Sequence, residues 1–248
     1  MTLGIDGFTY AIALFSAFCL GFSKAGFPGL AMVNVMIMAE LFGAKESVGV
    51  ILPLLIVCDV TVYPLFRQYA SWKQTWPLFL PAFVGIVVGY LLLGRIDNQT
   101  ARPVIGGIVL MMLVLQLVRV YKTEFLKHMP DSKGFFWGSG LTIGVSTMMA
   151  NAAGPVFSIY SLVHRMAKSD FLGIGARTFL VLNLVKVPFM TDLDIINKES
   201  LMLDAALLPS VFIGIFAGYR LIAKIPQKVF EVLLYLFSLV AGVRLLFF

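Results

Sequence analysis

Gly21-Phe22-Ser23-Lys24-Ala25-Gly26-Phe27-Pro28-Gly29 is the stretch that decides how this chain is read. It is a polar, glycine-rich break carrying a lysine, set between the apolar runs Phe8 to Phe22 and Pro28 to Phe42. Hydrocarbon offers no water to free backbone groups, so a break among membrane segments has to face protein or a water-filled cavity. Composition puts it in that setting: 60% of the 248 residues are hydrophobic and 13% charged, with a mean hydropathy of +0.94. Soluble domains carry about 25% charged residues. The apolar blocks run throughout, which leaves no separate soluble domain.

The net charge of +6 comes without a basic run or basic amphipathic helix, so it fits loop orientation and not nucleic acid. Cys19 and Cys58 sit in apolar segments and form no spaced pair, so neither a disulfide framework, a metal site nor a cofactor is expected. Asp6, in place of a basic region, precedes Phe8, and no small-residue cleavage pattern follows; the first apolar run reads as mature structure.

About 20 apolar residues are needed to cross the hydrocarbon as a helix. Six segments meet that length: Ser47 to Phe66, Thr75 to Leu93, Pro103 to Val120, Phe171 to Met190, Leu201 to Ile222 and Val229 to Phe248. Phe8 to Phe22, Pro28 to Phe42, Phe135 to Met149 and Pro155 to Val163 are shorter. The last two flank a second break, Gly144-Val145-Ser146-Thr147-Met148-Met149-Ala150-Asn151-Ala152-Ala153-Gly154-Pro155. Each short pair forms two tilted spans or a re-entrant hairpin, and length does not separate these.

The two breaks share a Gly-x-Ser start and a Gly with a nearby Pro, and the likeness continues downstream. Gly85, Gly89 and Tyr90 find Gly214, Gly218 and Tyr219, each 129 residues further on, and Asp59 and Pro64 find Asn183 and Pro188, each 124 further on. An ordered series of this kind marks an internal repeat. The expected fold is an all-α polytopic membrane protein of two inverted-topology repeats, each a broken or re-entrant helix pair plus three transmembrane helices. Residues 1–121 form the first repeat, 122–133 a linker and 134–248 the second. A broken pair crosses twice or not at all, so each half makes an odd number of crossings and the halves must be inverted. On that alternation twelve lysines and arginines lie on the linker side against five opposite, Lys45, Arg95, Arg102, Lys198 and Arg244. The positive-inside rule then puts the linker in the cytoplasm and both termini outside.

Inverted-repeat transporters hold substrate near the midplane, between half-helices whose amino ends point at it. Pro28 and Pro155 suit helix starts, where a missing N–H is no loss. Free N–H groups and two helix dipoles there would make an anion pocket. Ser23, Ser146, Thr147, Asn151 and Asn34 could line it, and Gly26, Gly29 and Gly154 would allow close backbone approach. Lys24 brings positive charge, or else snorkels to the surface. Small residues are also what close helix packing selects, so that reading of the glycines stands beside the binding one.

Arg177 and Lys186 lie within one apolar segment on opposite faces, and Asn183 shares the face of Lys186. Both bases are pathway candidates, and both are near enough to segment ends to reach the interface. Asp59 reads as the only acid well inside a full-length helix. It would either carry a proton or pair with a base such as Lys186, the ion pair being favoured. His128 and His164 lie in or near loops, and no nucleophile elbow, His-Glu-x-x-His motif or aspartate pair is present, so an enzyme is not expected.

The glycine-lysine-glycine opening at Gly21 to Gly29, its echo at Gly144 to Pro155 and the Pro-x(3)-Gly-x(3)-Gly helix of each half resemble the TauE/SafE family of sulfite and organosulfonate exporters, across essentially the whole chain. The resemblance implies export of small sulfur-containing anions such as sulfite, sulfoacetate or sulfolactate across a bacterial inner membrane, coupled to protons. Composition and spacing indicate an anion pocket and say nothing of sulfur. The expected partners are that anion, protons and the lipid bilayer, with no nucleic acid; a homo-oligomer is compatible with the sequence. A non-transporting membrane scaffold or assembly factor, or a carrier of another small anion, remains the alternative. A cation carrier is disfavoured by the excess of buried bases.

Overall fold

The computed structural model describes residues 6–24, 30–221, 235–236, 239–240 and 242–247. They form helices α1 (Gly7–Lys24), α2 (Leu30–Phe42), α3 (Ala44–Phe66), α4 (Trp72–Arg95), α5 (Asn98–Tyr121), α6 (Thr123–His128), α7 (Lys133–Ala150), α8 (Gly154–Val163), α9 (Lys168–Asp192) and α10 (Lys198–Leu221). A 3-10 turn, Arg67–Tyr69, follows α3, and further helical residues lie at 235–236, 239–240 and 242–247. Among the described residues six helices are long and apolar enough to cross a membrane, so the chain is an all-α polytopic membrane protein.

Those six include α1, which at 18 residues exceeds the run Phe8 to Phe22 because its last turn extends through Ser23 and Lys24. The expected segment Val229 to Phe248 lies largely outside the described residues. Helix ends overrun the apolar segments wherever polar residues cap them. Ser71 and Gln74 form a reciprocal capping box on α4, which therefore starts three residues before Thr75. Asp97 caps α5, and the Thr100 N–H it accepts holds its carboxylate below the ordinary range. Helix α6 is an addition to the sequence reading, a short turn inside the polar linker.

Helices that are apolar all round bury one stripe in protein and leave another for lipid. On α4, Trp72, Trp76, Leu80, Val84 and Val88 are exposed at every fourth position, while Leu78, Ala82, Ile86 and Leu93 are buried. Glycines set the closest crossings. Helix α4 packs most extensively on α7, and α1 on α10, with α3 against α9 between them. A β-carbon on Gly144 would lie 2.0 Å from the Ala82 carbonyl oxygen, and one on Gly85 2.3 Å from that of Leu141. At the other crossing, a β-carbon on Gly21 would lie 2.1 Å from the Val211 oxygen and one on Gly214 2.2 Å from that of Phe18. Backbones this close admit no side chain, so at these four positions the packing reading of the glycines holds.

Candidate functional site

Two polar clusters interrupt the apolar interior where α3 and α9 meet. The first forms because α1 ends in Lys24 beside the middle of α3. The Lys24 ammonium lies 2.5 Å from Asp59 Oδ1, and Asn183 on α9 donates to Asp59 Oδ2 at 2.6 Å. Asp59 is buried, whereas the Lys24 side chain keeps 21% of its exposure. Lys24 also lies over the ring of Phe179, 5.6 Å from its centroid. A cavity of about 140 Å³ opens on this pair, lined chiefly by Phe66, Phe157, Phe171, Gly175 and Phe179. Gly175 lets the Phe157 ring come close, since a β-carbon there would meet its Cε1 at 2.9 Å.

The second cluster forms where α7 stops. Asn151 takes the left-handed conformation, φ 52°, which Asn tolerates better than most residues, and its N–H returns to Thr147 O. That turn directs the amide across the interface: Nδ2 donates to Val48 O on α3 at 3.0 Å, and Oδ1 accepts from Lys186 at 2.6 Å. Lys186 completes its three donors with Thr147 O at 2.9 Å and Thr147 Oγ1 at 3.1 Å. Lys186 is fully buried, and among the described residues no carboxylate lies within ion-pair distance of it. Its hydrogen bonds are all to neutral acceptors, and Asp59, which acts on it through space, is itself paired with Lys24, so its charge is only weakly compensated.

Helix α8 begins beside this cluster. Ala153 gives no side-chain cap, Pro155 stands in the first turn, and nothing lies within 4 Å of where a β-carbon on Gly154 would be. The packing reading therefore does not apply to Gly154. Its helix start has no side-chain cap, and room for a side chain exists at Gly154.

The other expected residues divide. Ser23 and Ser146 donate to their own helices, to Leu20 O at 2.7 Å and Thr142 O at 2.6 Å, so their hydroxyl protons are committed. Asn34 ties α2 to α1 through Ser16, with bonds of 3.0 Å to its carbonyl and 2.9 Å to its hydroxyl, apart from both clusters. Arg177 turns to the far end of α9. It donates to Arg67 O at 2.5 Å and lies over Trp72 and Tyr63, and nine residues of helix, about 14 Å, separate it from Lys186. Gly26, Gly29 and Pro28 fall outside the described residues.

Two readings change. Asp59 pairs with Lys24 instead of Lys186, because the end of α1 reaches it and the Lys186 ammonium is held by α7. Nor is Asp59 the only acid inside a long helix: Asp204 on α10 is 4% exposed. The apolar segment starts at Leu201, but the helix starts at Lys198, which places Asp204 in its second turn. Among the described residues no group of three or more His, Cys, Asp or Glu is placed to hold a metal.

Comparison with curated proteins and with solved structures finds no match. The family model described as sulfite exporter TauE/SafE matches residues 12–245. That span takes in both polar clusters and the long helices apart from the first five residues of α1, and the chain belongs to the TauE/SafE family of membrane proteins.

Proposed function

We propose that this protein is a secondary transporter that exports small sulfur-containing anions, sulfite or organosulfonates such as sulfoacetate and sulfolactate, by alternating access. The observation that carries the reading is Lys186, a fully buried ammonium bonded only to neutral oxygens. An anion arriving at the uncapped start of α8 would supply the missing counter-charge. Sulfonate suits such a site, since its three oxygens share one delocalised charge and can accept from several donors at once. Lys24 and Asp59, beside their own cavity, would form the access side, and Thr147, Asn151, Asn183 and Gly154 the rest of the pocket.

The two halves, residues 1–121 and 134–248 with the linker 122–133 in the cytoplasm, act as inverted repeats in a bacterial inner membrane. The exchange of partners supports this: α1 of one half packs on α10 of the other, while α4 packs on α7. Residues that match in sequence, Gly21 with Gly144 and Gly85 with Gly214, stand at both crossings. Rocking one half against the other would expose the pocket alternately.

Purified protein should gain thermal stability with sulfite or sulfoacetate, growing with ligand concentration, and little with taurine or a carboxylate. In proteoliposomes, Lys24→Ala should abolish sulfonate flux while the variant still inserts. No stabilisation by any anion, together with no flux through the unaltered protein, would leave a scaffold role as the better account, whereas normal flux by the Lys24→Ala variant would remove Lys24 from the pathway.

A further inference from the structure

Helix α10 starts on a reciprocal cap in which Ser200 N–H donates to Asn197 Oδ1 and Asn197 N–H reaches Ser200 Oγ, both at 3.0 Å. Asp204 follows one turn later, 4% exposed, and neither of its carboxylate oxygens has a hydrogen-bond partner. Its neighbours along the helix, Leu203 and Leu207, are buried and apolar.

Among the described residues, nothing charged answers it from the helices packed on α10. On α1, Tyr10 donates to Ala206 O at 3.2 Å and Lys24 is held by Asp59; Cys19 is the remaining titratable group there. On α3, Lys45 is bonded to Ile96 O, Asp59 is taken by Lys24 and Asn183, and Glu46, Cys58 and Tyr63 form no bond to Asp204. On α10 itself Lys198, Glu199, Tyr219 and Arg220 make none either, and Arg220 lies over Phe216.

Asp204 is also remote from the Lys24 cluster. The bonds Tyr10 to Ala206 and Ser210 to Leu14 run α1 and α10 side by side in the same direction. Asp204 therefore lies near the level of Tyr10, and Lys24 is 14 residues further along α1, about 20 Å away. At the 129-residue spacing of the repeat its counterpart is Thr75, whose hydroxyl is satisfied by Ser71 O at 3.1 Å. One half thus places a bonded, neutral hydroxyl where the other places an orphaned carboxyl.

An ionised carboxylate in these surroundings would lack both water and counter-charge, whereas a neutral acid is far cheaper to bury. Buried acids in membrane helices are characteristically proton carriers. We propose that Asp204 is the proton-binding site that couples the cycle. This rests on the anion-export reading and assigns its driving ion. The carboxyl binds one proton from water on the side where α10 begins, stays neutral while α10 is packed as here, and releases the proton when rocking opens α10 to water on the other side. Packing of α10 on α3, which carries Asp59, links the proton site to the anion pocket.

The test has two arms. Infrared spectra of purified protein through a pH titration should contain a carboxylic-acid C=O band that disappears in Asp204→Asn and returns shifted in Asp204→Glu. In proteoliposomes an imposed pH gradient should raise sulfite or sulfoacetate flux in the wild type at least tenfold, and flux through Asp204→Asn should be the same with and without it. An acid band that is absent from the wild type, or unchanged in Asp204→Asn, overturns the proton site whatever the flux. So does a pH response that survives Asp204→Asn, or drive by a sodium gradient alone. A titrating Asp204 band without any anion flux overturns the export reading instead.

Discussion

The two lysines of the interior clusters meet opposite conditions. Lys24 reaches a carboxylate at 2.5 Å and keeps a fifth of its side chain exposed; Lys186 is fully buried and touches only a carbonyl, a hydroxyl and an amide oxygen. The first charge is closed within the protein. The second is met by neutral oxygens alone. On the proposed function, the lysine beside the glycine-rich break would mark the way in, and the lysine that would balance a substrate comes from the middle of a regular helix.

The comparison breaks most visibly if Lys186 is removed. Lys186→Met should lower sulfonate flux at least a hundredfold and erase anion-dependent stabilisation. The ligand-free protein should lose little stability, because exchanging a buried, weakly compensated ammonium for an apolar chain of similar length relieves a desolvation cost. Melting curves with and without sulfite, set beside proteoliposome flux, check both halves of the statement. If ligand-dependent stabilisation persists in Lys186→Met but vanishes in Lys24→Met, the roles of the two lysines are reversed.

A smaller effect tests whether the Lys24 charge is closed by Asp59. Breaking a buried pair from one side costs about 3–5 kcal/mol. The exposure of Lys24 discounts that for Asp59→Asn to roughly 2 kcal/mol. Lys24→Met combined with Asp59→Asn should be less destabilised than the two single changes added together, by about 1 kcal/mol or more. Strict additivity in denaturant unfolding would mean that the 2.5 Å contact carries no coupling.

What could be read from the sequence follows depth and pairing. The long helices, the two breaks and the oppositely placed bases of α9 come from hydropathy and the helical period alone. Partners do not. Asp59 could have met either lysine, and which one it meets depends on where α1 ends, a point that a glycine-rich break conceals. Asp204 escapes the sequence for a related reason: a reciprocal cap of Asn197 and Ser200 starts α10 at Lys198, upstream of its apolar residues, and puts the acid in the second turn of the helix. Helix α6 was hidden because six residues in a polar linker show no periodicity. Val48 was invisible as a partner of Asn151, since it contributes only its carbonyl oxygen.

The finest test of the comparison is at Asn151, which holds Lys186 with its side chain and ends α7 with its backbone. Its left-handed φ of 52° costs most side chains about 1–2 kcal/mol and glycine almost nothing. Asn151→Ala should therefore be less stable than Asn151→Gly by about 1 kcal/mol, the part that belongs to the turn. Both variants lose the bond to Val48 and one of the three acceptors on Lys186, so their transport should fall alike, by about tenfold or more, since one charge-assisted bond contributes roughly 1.5 kcal/mol or more. Equal stability of the two would show that the turn can relax. Unequal transport would mean that Asn151 serves the pocket through the path of its backbone, with the amide that touches Lys186 incidental.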